Sequence, residues 1–210
     1  MENLTSPSIK ASCVISGNAV YKNNELLFRQ ADVELPGFLT AAYHHFDLHY
    51  AKFYKMDNLS KLGWLTAEVL LKDTLAGTKY AAERISVILA NANSSLDTDL
   101  RYLESVKDVA SPALFVYTLP NIVIGEICIR HKFKGENAFF IQEYFEAGFI
   151  AQTVDNLFDT NLADACICGW VDVIGQEYKA ALFLIERNAT DGAVNFSGDA
   201  LYRIFGSYPG

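Results

Sequence analysis

The sequence predicts an α/β protein built on a five-stranded, mostly parallel sheet with one antiparallel strand and helices on both faces. Three observations carry this. Short apolar runs of strand length alternate with stretches whose apolar residues recur at helical spacing. Ile85 to Asn91 (ISVILAN) is apolar nearly throughout, as a strand buried on both faces must be. The last two runs lie too close together for a helical crossover, so the final strand must turn back antiparallel.

The elements follow in order. Ala11 to Tyr21, rich in β-branched and aromatic residues, is expected to form the first strand and to continue into a hairpin with Leu26 to Phe28. Pro36 to Met56 is read as part of a loop. Asp57 or Ser60 can then cap a helix in which Leu62, Leu65, Val69 and Leu70 share a face, ending near Gly77. Ile85 to Asn91 is the second strand. Ser94 to Asp99 supplies caps for a helix through Val106. Pro120 stands at the first turn of another helix, Asn121 to Phe133, closed by Gly135. Ala138 to Gln142 is the third strand, Ala147 to Phe158 a helix carrying Ile150, Val154 and Leu157, and Ala163 to Ile174 and Ala180 to Glu186 the last two strands. The tail from Arg187 is too short to add another such layer.

With 210 residues, 51% hydrophobic and no linker-like stretch, residues 1–210 are expected to bury one core as a single domain. The net charge of −8, with no compensating basic stripe, disfavours nucleic acid as a partner. Met1 to Ser12 lacks the basic-then-apolar order of a signal peptide, and no apolar run approaches the roughly 20 residues a bilayer crossing needs. A cytoplasmic protein is the expectation. Cys13, Cys128, Cys166 and Cys168 sit in apolar surroundings that suit reduced core residues rather than disulfides.

Four segments in this order resemble the N-terminal half of the β-ketoacyl synthases, of the thiolase-like superfamily. Lys55-Met56-Asp57 with Ser60, Leu62 and Ala67 resembles a helix-opening segment of the family. Leu119-Pro120-Asn121, Gly125, Ile127, Ile129, Lys134-Gly135 and Asn137 are similar to the stretch that leads into its nucleophile strand. Ala163-Asp164 with Gly169, and then Ala180 to Glu186, resemble its last two strands. The resemblance implies one half of a thiolase-like fold over nearly the whole chain.

The departures from the family carry the functional expectation. The resemblance places the nucleophilic cysteine about nine residues past Gly135, at a helix N-terminus that favours thiolate and oxyanion; here that position is Tyr144, flanked by Glu143 and Glu146. No cysteine occurs between Ile129 and Ala165. A phenol is a poor nucleophile toward a thioester without an activating base, and the two carboxylates oppose the enolate that condensation would form. The family's catalytic histidines, or histidine and asparagine, come from its other half, whereas His44, His45, His49 and His131 all precede Tyr144. Glu136 for the usual proline and Trp170 for the second glycine imply a filled or altered cavity. The family places the helix after the nucleophile between two sheets. Without the other half, a face bearing Phe149, Ile150, Val154, Leu157 and Phe158 is therefore expected to meet water, at a cost on the order of ten kcal/mol unless a partner covers it.

Other groupings have plainer readings. His45 and His49 could lie one helical turn apart as zinc ligands, but nothing completes the set, and no metal is expected. Cys166 and Cys168 point to one strand face, as core residues do. Asp97 and Asp99 are read as helix caps rather than cation ligands. Arg130, Lys132 and Lys134, with His131, are a candidate docking patch for an acyl carrier protein, against the simpler reading of cations complementing a helix C-terminus.

These readings give a non-catalytic ketosynthase-like subunit or accessory protein of fatty acid or polyketide-like chain synthesis. The resemblance extends to the half-length forms that accompany aryl-polyene and flexirubin-type pigment genes, and to chain-length-factor subunits, which share the loss of the cysteine. Such a protein acts by dimerisation, with itself or with a complete ketosynthase, and needs no cofactor. The alternative is an acyl-thioester hydrolase or transferase, or an acyl-binding module, using the relic pocket.

Overall fold

The computed structural model describes residues 6–74, 80–188 and 194–208. Strand β1 (Ser8–Ser16) is followed by β2 (Ala19–Lys22) and β3 (Glu25–Arg29). The run expected to be one strand, Ala11 to Tyr21, is therefore two strands. Gly17 and Asn18, at φ of 53° and 55°, occupy a two-residue hairpin turn of the kind whose central positions both require positive φ. Asn23 and Asn24 make the next such turn, at 50° and 68°.

Within the segment expected to be loop lies α1 (Leu35–His45), which buries Leu35, Phe38, Leu39, Ala42 and Tyr43. Pro36 does not break it, because a proline in the first turn gives up an N–H that has no helical acceptor. Helix α2 (Asn58–Leu71) is capped by Asp57, whose Oδ1 accepts the Ser60 N–H at 2.9 Å. The expected end near Gly77 lies outside the described residues; the helix stops at Leu71. All of α2 except Lys61 is buried.

Strand β4 (Ile85–Asn91) precedes α3 (Leu96–Ser105), the short α4 (Pro112–Phe115) and α5 (Ile122–His131). Gly63 lets α2 and α5 pack closely, since a Cβ there would sit 2.3 Å from Val123 Cγ2. Lys132, at φ of 60°, rather than Gly135 closes α5. Gly135 serves strand packing instead. A Cβ there would lie 2.4 Å from the Ile85 carbonyl oxygen, so only glycine lets this segment run against β4. Then come β5 (Asn137–Ile141), α6 (Ala147–Asp159), β6 (Ala165–Ile174) and β7 (Glu177–Glu186). The tail, expected to be too short for another layer, adds a short β8 (Val194–Asn195) and α7 (Gly198–Gly206).

The sheet has eight strands, not five, in the order β3-β2-β1-β7-β6-β4-β5, with β8 paired to β1. The additions are the split hairpin strands and β8. The five core strands behave as expected. β4 is parallel to both β5 and β6; β7 is antiparallel to β6 and to β1, so β1 points the same way as β4, β5 and β6. Helices cover both faces. Trp64, Phe38 and Phe53 centre the cluster under α1, α2 and α5, and Phe145, Ile150 and Phe183 belong to the one under α6 and α7.

Candidate site at the start of helix six

The position expected to hold a nucleophile lies where the chain leaves the edge strand β5 and enters α6. Tyr144 is 61% exposed there. Its phenol is held above its ordinary pKa by a hydrogen bond and charge from Glu146, with a smaller push from Glu143. This is the reverse of activation. Glu146 is the residue before α6, and its side chain makes no capping bond.

Phe145 turns inward and is 4% exposed. Its ring meets Phe205 at 4.6 Å, Trp170 at 6.1 Å and Phe183 at 6.4 Å. Trp170, where the family pattern has glycine, thus fills space behind the turn. Phe205 comes from α7. Ser197 caps that helix, accepting the Ala200 N–H at 3.2 Å, and Gly198 packs so closely on α6 that a Cβ would lie 2.9 Å from the Gly148 Cα. Lys179 stands 4.2 Å from the Phe205 ring centre and donates to the Tyr208 carbonyl at 2.7 Å. An open cleft of about 280 Å3 remains, lined by residues that include Tyr144, Glu146, Asp199 and Tyr202. Among the described residues its lining contains no histidine, cysteine, serine or lysine.

Helix α7 also corrects the expected apolar face. Ile150, Val154 and Phe158 point into the core, Leu157 is partly buried, and only Phe149, at 40% exposure, stands out, with its ring edge-on to Phe140 at 4.8 Å. Sequence reading missed Asp199, Tyr202 and Phe205, although Ser197 followed by Ala200, Leu201, Ile204 and Phe205 is a capped helical pattern.

The thiols and imidazoles lie elsewhere. Cys13, Cys166 and Cys168 are fully buried, which pushes their pKa values well up, and burial raises Cys128 to about 11. Helix α1 ends at His45, whose ring packs on Phe28 at 4.5 Å, while His49 lies beyond the helix against the Asp47 carbonyl at 2.9 Å. The two therefore do not form one helical pair. Asp97 and Asp99 occupy the first turn of α3 rather than capping it. Asp97 Oδ1 accepts the Gly175 N–H at 3.0 Å, and Asp99 Oδ2 accepts from the Ser95 hydroxyl at 3.2 Å.

The basic cluster is largely paired. Arg130 makes two 3.1 Å bonds to buried Glu68 and lies over Tyr50 and Trp64, while His131 Nε2 is 2.8 Å from the same carboxylate. Burial by itself would raise the Glu68 pKa, but hydrogen bonds from His131 and then Arg130 hold it below the ordinary value. Lys134 is 3.4 Å from Glu83, and Lys132 is exposed in the turn after α5.

Neither a family model nor a curated protein matches the sequence. Solved structures do. The ishigamide ketosynthase/chain length factor superposes with a TM-score of 0.62 at 16% identity, over 86% of this chain and 62% of that one. A β-ketoacyl synthase from Burkholderia phymatum STM815 gives 0.58 at 10% identity, over 87% of this chain and 59% of that one. The complex of a ketosynthase (ApeO) with its chain length factor (ApeC) from Xenorhabdus doucetiae gives 0.53 at 10% identity, over 89% of this chain and 80% of the matched chain. The chain thus spans less than two thirds of the first of these, and nearly all of its own length is matched in each. The strand directions, the helix rising from the end of β5 and these superpositions together show a ketosynthase-like, thiolase-type fold.

Proposed function

We propose that this chain is a non-catalytic ketosynthase-like subunit of a system that builds acyl chains, acting by pairing rather than by condensation. The observation that carries the reading is Tyr144, exposed between Glu143 and Glu146 where the family's pattern requires a thiolate. A nucleophile for thioesters needs a base or a lowered pKa, and this phenol has its pKa raised by carboxylates. The ring cluster of Phe145, Trp170 and Phe205 occupies the space behind the turn, which supports a filled pocket. Structures of ketosynthases with chain length factors among the similar folds support a role beside a ketosynthase, and the sequence resemblance extends the proposal to fatty acid or polyketide-like chains of aryl-polyene or flexirubin type. On this reading residues 1–210 form one β-ketoacyl synthase N-terminal-like unit in the cytoplasm. Its partner is a ketosynthase-like chain, and an acyl carrier protein would meet the exposed Lys132 in the turn after α5, beside Lys134, which is paired with Glu83.

The test is incubation of the purified chain with radiolabelled acyl and malonyl carrier-protein thioesters, followed by intact-mass and product analysis. Neither an acyl adduct nor a lengthened product is expected. An adduct that disappears in Tyr144→Phe would show a catalytic nucleophile and overturn the proposal.

A further inference from the structure

The cleft between the turn before α6 and the start of α7 is walled by tyrosines whose ring faces are free. Tyr144 from the turn and Tyr202 from α7 line it and are 61% and 63% exposed. Their neighbours on the same two elements, Phe145 and Phe205, turn inward onto each other, whereas among the described residues neither tyrosine meets another ring. The floor is backbone. A Cβ on Gly198 would lie 2.9 Å from the Gly148 Cα, yet a Cβ on Gly148 would find nothing within 4 Å. Among the described residues the charged side chains of the lining are carboxylates, Glu146 and Asp199. Glu146 stands before α6 without capping it and accepts the Tyr144 hydroxyl instead. Asp199 lies in the first turn of α7, where Ser197 already makes the capping bond. No lysine, arginine or histidine forms an ion pair with either carboxylate among the described residues.

We propose that this cleft binds an organic cation of the guanidinium class, between the two tyrosine rings and the carboxylates of Glu146 and Asp199. A guanidinium stacks its plane on an aromatic face and is gripped by a carboxylate through two parallel N–H donors, so free rings beside unpaired carboxylates match both of its properties. An ammonium meets the charge but not the plane. The plainer reading, that the acids complement helix dipoles, accounts for only part of the arrangement. Two helix N-termini supply roughly half a positive charge each, against the three carboxylates of Glu143, Glu146 and Asp199, which leaves about two negative charges at the mouth. The same sum repels a phosphate, the usual guest of a helix N-terminus. It gives no reason for the tyrosines. The volume of about 280 Å3 falls just below that of sites enclosing drug-sized ligands, which suits a single group on a flexible stem. Two sources carry this chemistry, a free guanidino compound and an arginine side chain of another protein, and the test separates them.

The inference goes beyond the proposed role and does not depend on it, since cation binding requires neither a ketosynthase partner nor an inert Tyr144. Titration of the isotope-labelled full chain with N-acetylarginine amide over about 0.05–20 mM, the range expected of so few contacts, should move the amide resonances of residues 144–148 and 198–202 and reach saturation. The citrulline analogue, equal in shape but uncharged, should bind at least about tenfold more weakly, and the lysine analogue about threefold more weakly. Gly148→Leu adds a side chain whose Cβ meets no neighbour, so it fills the cleft without a clash and should abolish binding. Tyr202→Ala, at an exposed position, should weaken binding about two- to fivefold without changing the fold. Propylguanidine that binds as tightly as a capped glycine-flanked arginine peptide names a free compound as the source; a peptide that binds about tenfold tighter names a protein arginine. The inference is overturned by the absence of saturable shifts up to about 20 mM, by shifts spread over the acidic surface, by citrulline or lysine analogues that bind as well as arginine, or by a Gly148→Leu chain that is folded and still binds.

Discussion

Leu201→Ala probes the contact that lets this chain close its own α6 face. Leu201 is 0% exposed and belongs to the cluster that contains Phe145, Ile150 and Val154. Truncating a fully buried leucine costs roughly 2–5 kcal/mol, the lost transfer energy plus a penalty for the void. α7 is the last helix and rests mainly on α6, so it can shift partway into the space. The lower half of that range, about 2–3 kcal/mol, is therefore expected. In a chain of this size that corresponds to a loss of roughly 5–10 °C in Tm. Urea unfolding at pH 7 gives the free energy, and dye binding reports whether the rings of Phe145 and Trp170 become accessible. A loss under about 0.5 kcal/mol, the usual size of a surface effect, with no added dye binding, would refute α7 as the cover.

Two further substitutions test the core. Glu68→Gln should cost about 2 kcal/mol at pH 7, below the 3–5 kcal/mol of a fully buried pair because the Arg130 side chain keeps 34% exposure. The Glu68 pKa is depressed in the fold, so its contribution is complete above the unfolded value of about 4.3 and disappears as pH falls through the folded value. Urea curves at pH 7 and pH 3 should show the wild-type advantage shrinking at the acid end; a constant difference would refute it. Gly169→Ala should be severely destabilising, because φ is +144° and the new Cβ would lie 2.0 Å from the Ala181 carbonyl oxygen. Soluble expression and melting temperature check this, and a wild-type Tm would sink the reading.

The α/β class and the five core strands were legible because a strand buried on both faces must be apolar throughout and a buried helix must repeat its apolar residues. Ile85–Asn91 and α2 show those signals strongly. The split of β1 from β2 was harder to see, since Gly17-Asn18 interrupts an otherwise uniform β-branched run by only two residues. Helix α1 was hidden by Pro36 and Gly37, residues that break a helix in its middle but not in its first turn. At the candidate site, the residue at the nucleophile position was readable by counting from Gly135. The inward turn of Phe145 and its contact with Phe205 were not, because the two are 60 positions apart along the chain.

By itself, then, the order of residues determined the alternation of strands and helices, the direction of the core strands and the absence of a cysteine where α6 begins. Those properties are local, written in period, caps and single residue identities. Only the tertiary structure decided that α7 covers α6, that Glu68 neutralises Arg130, and that α3 buries its acids and shows its leucines. Each of these depends on which distant surface a side chain meets, and a helical period tells that a stripe exists without telling which stripe faces in.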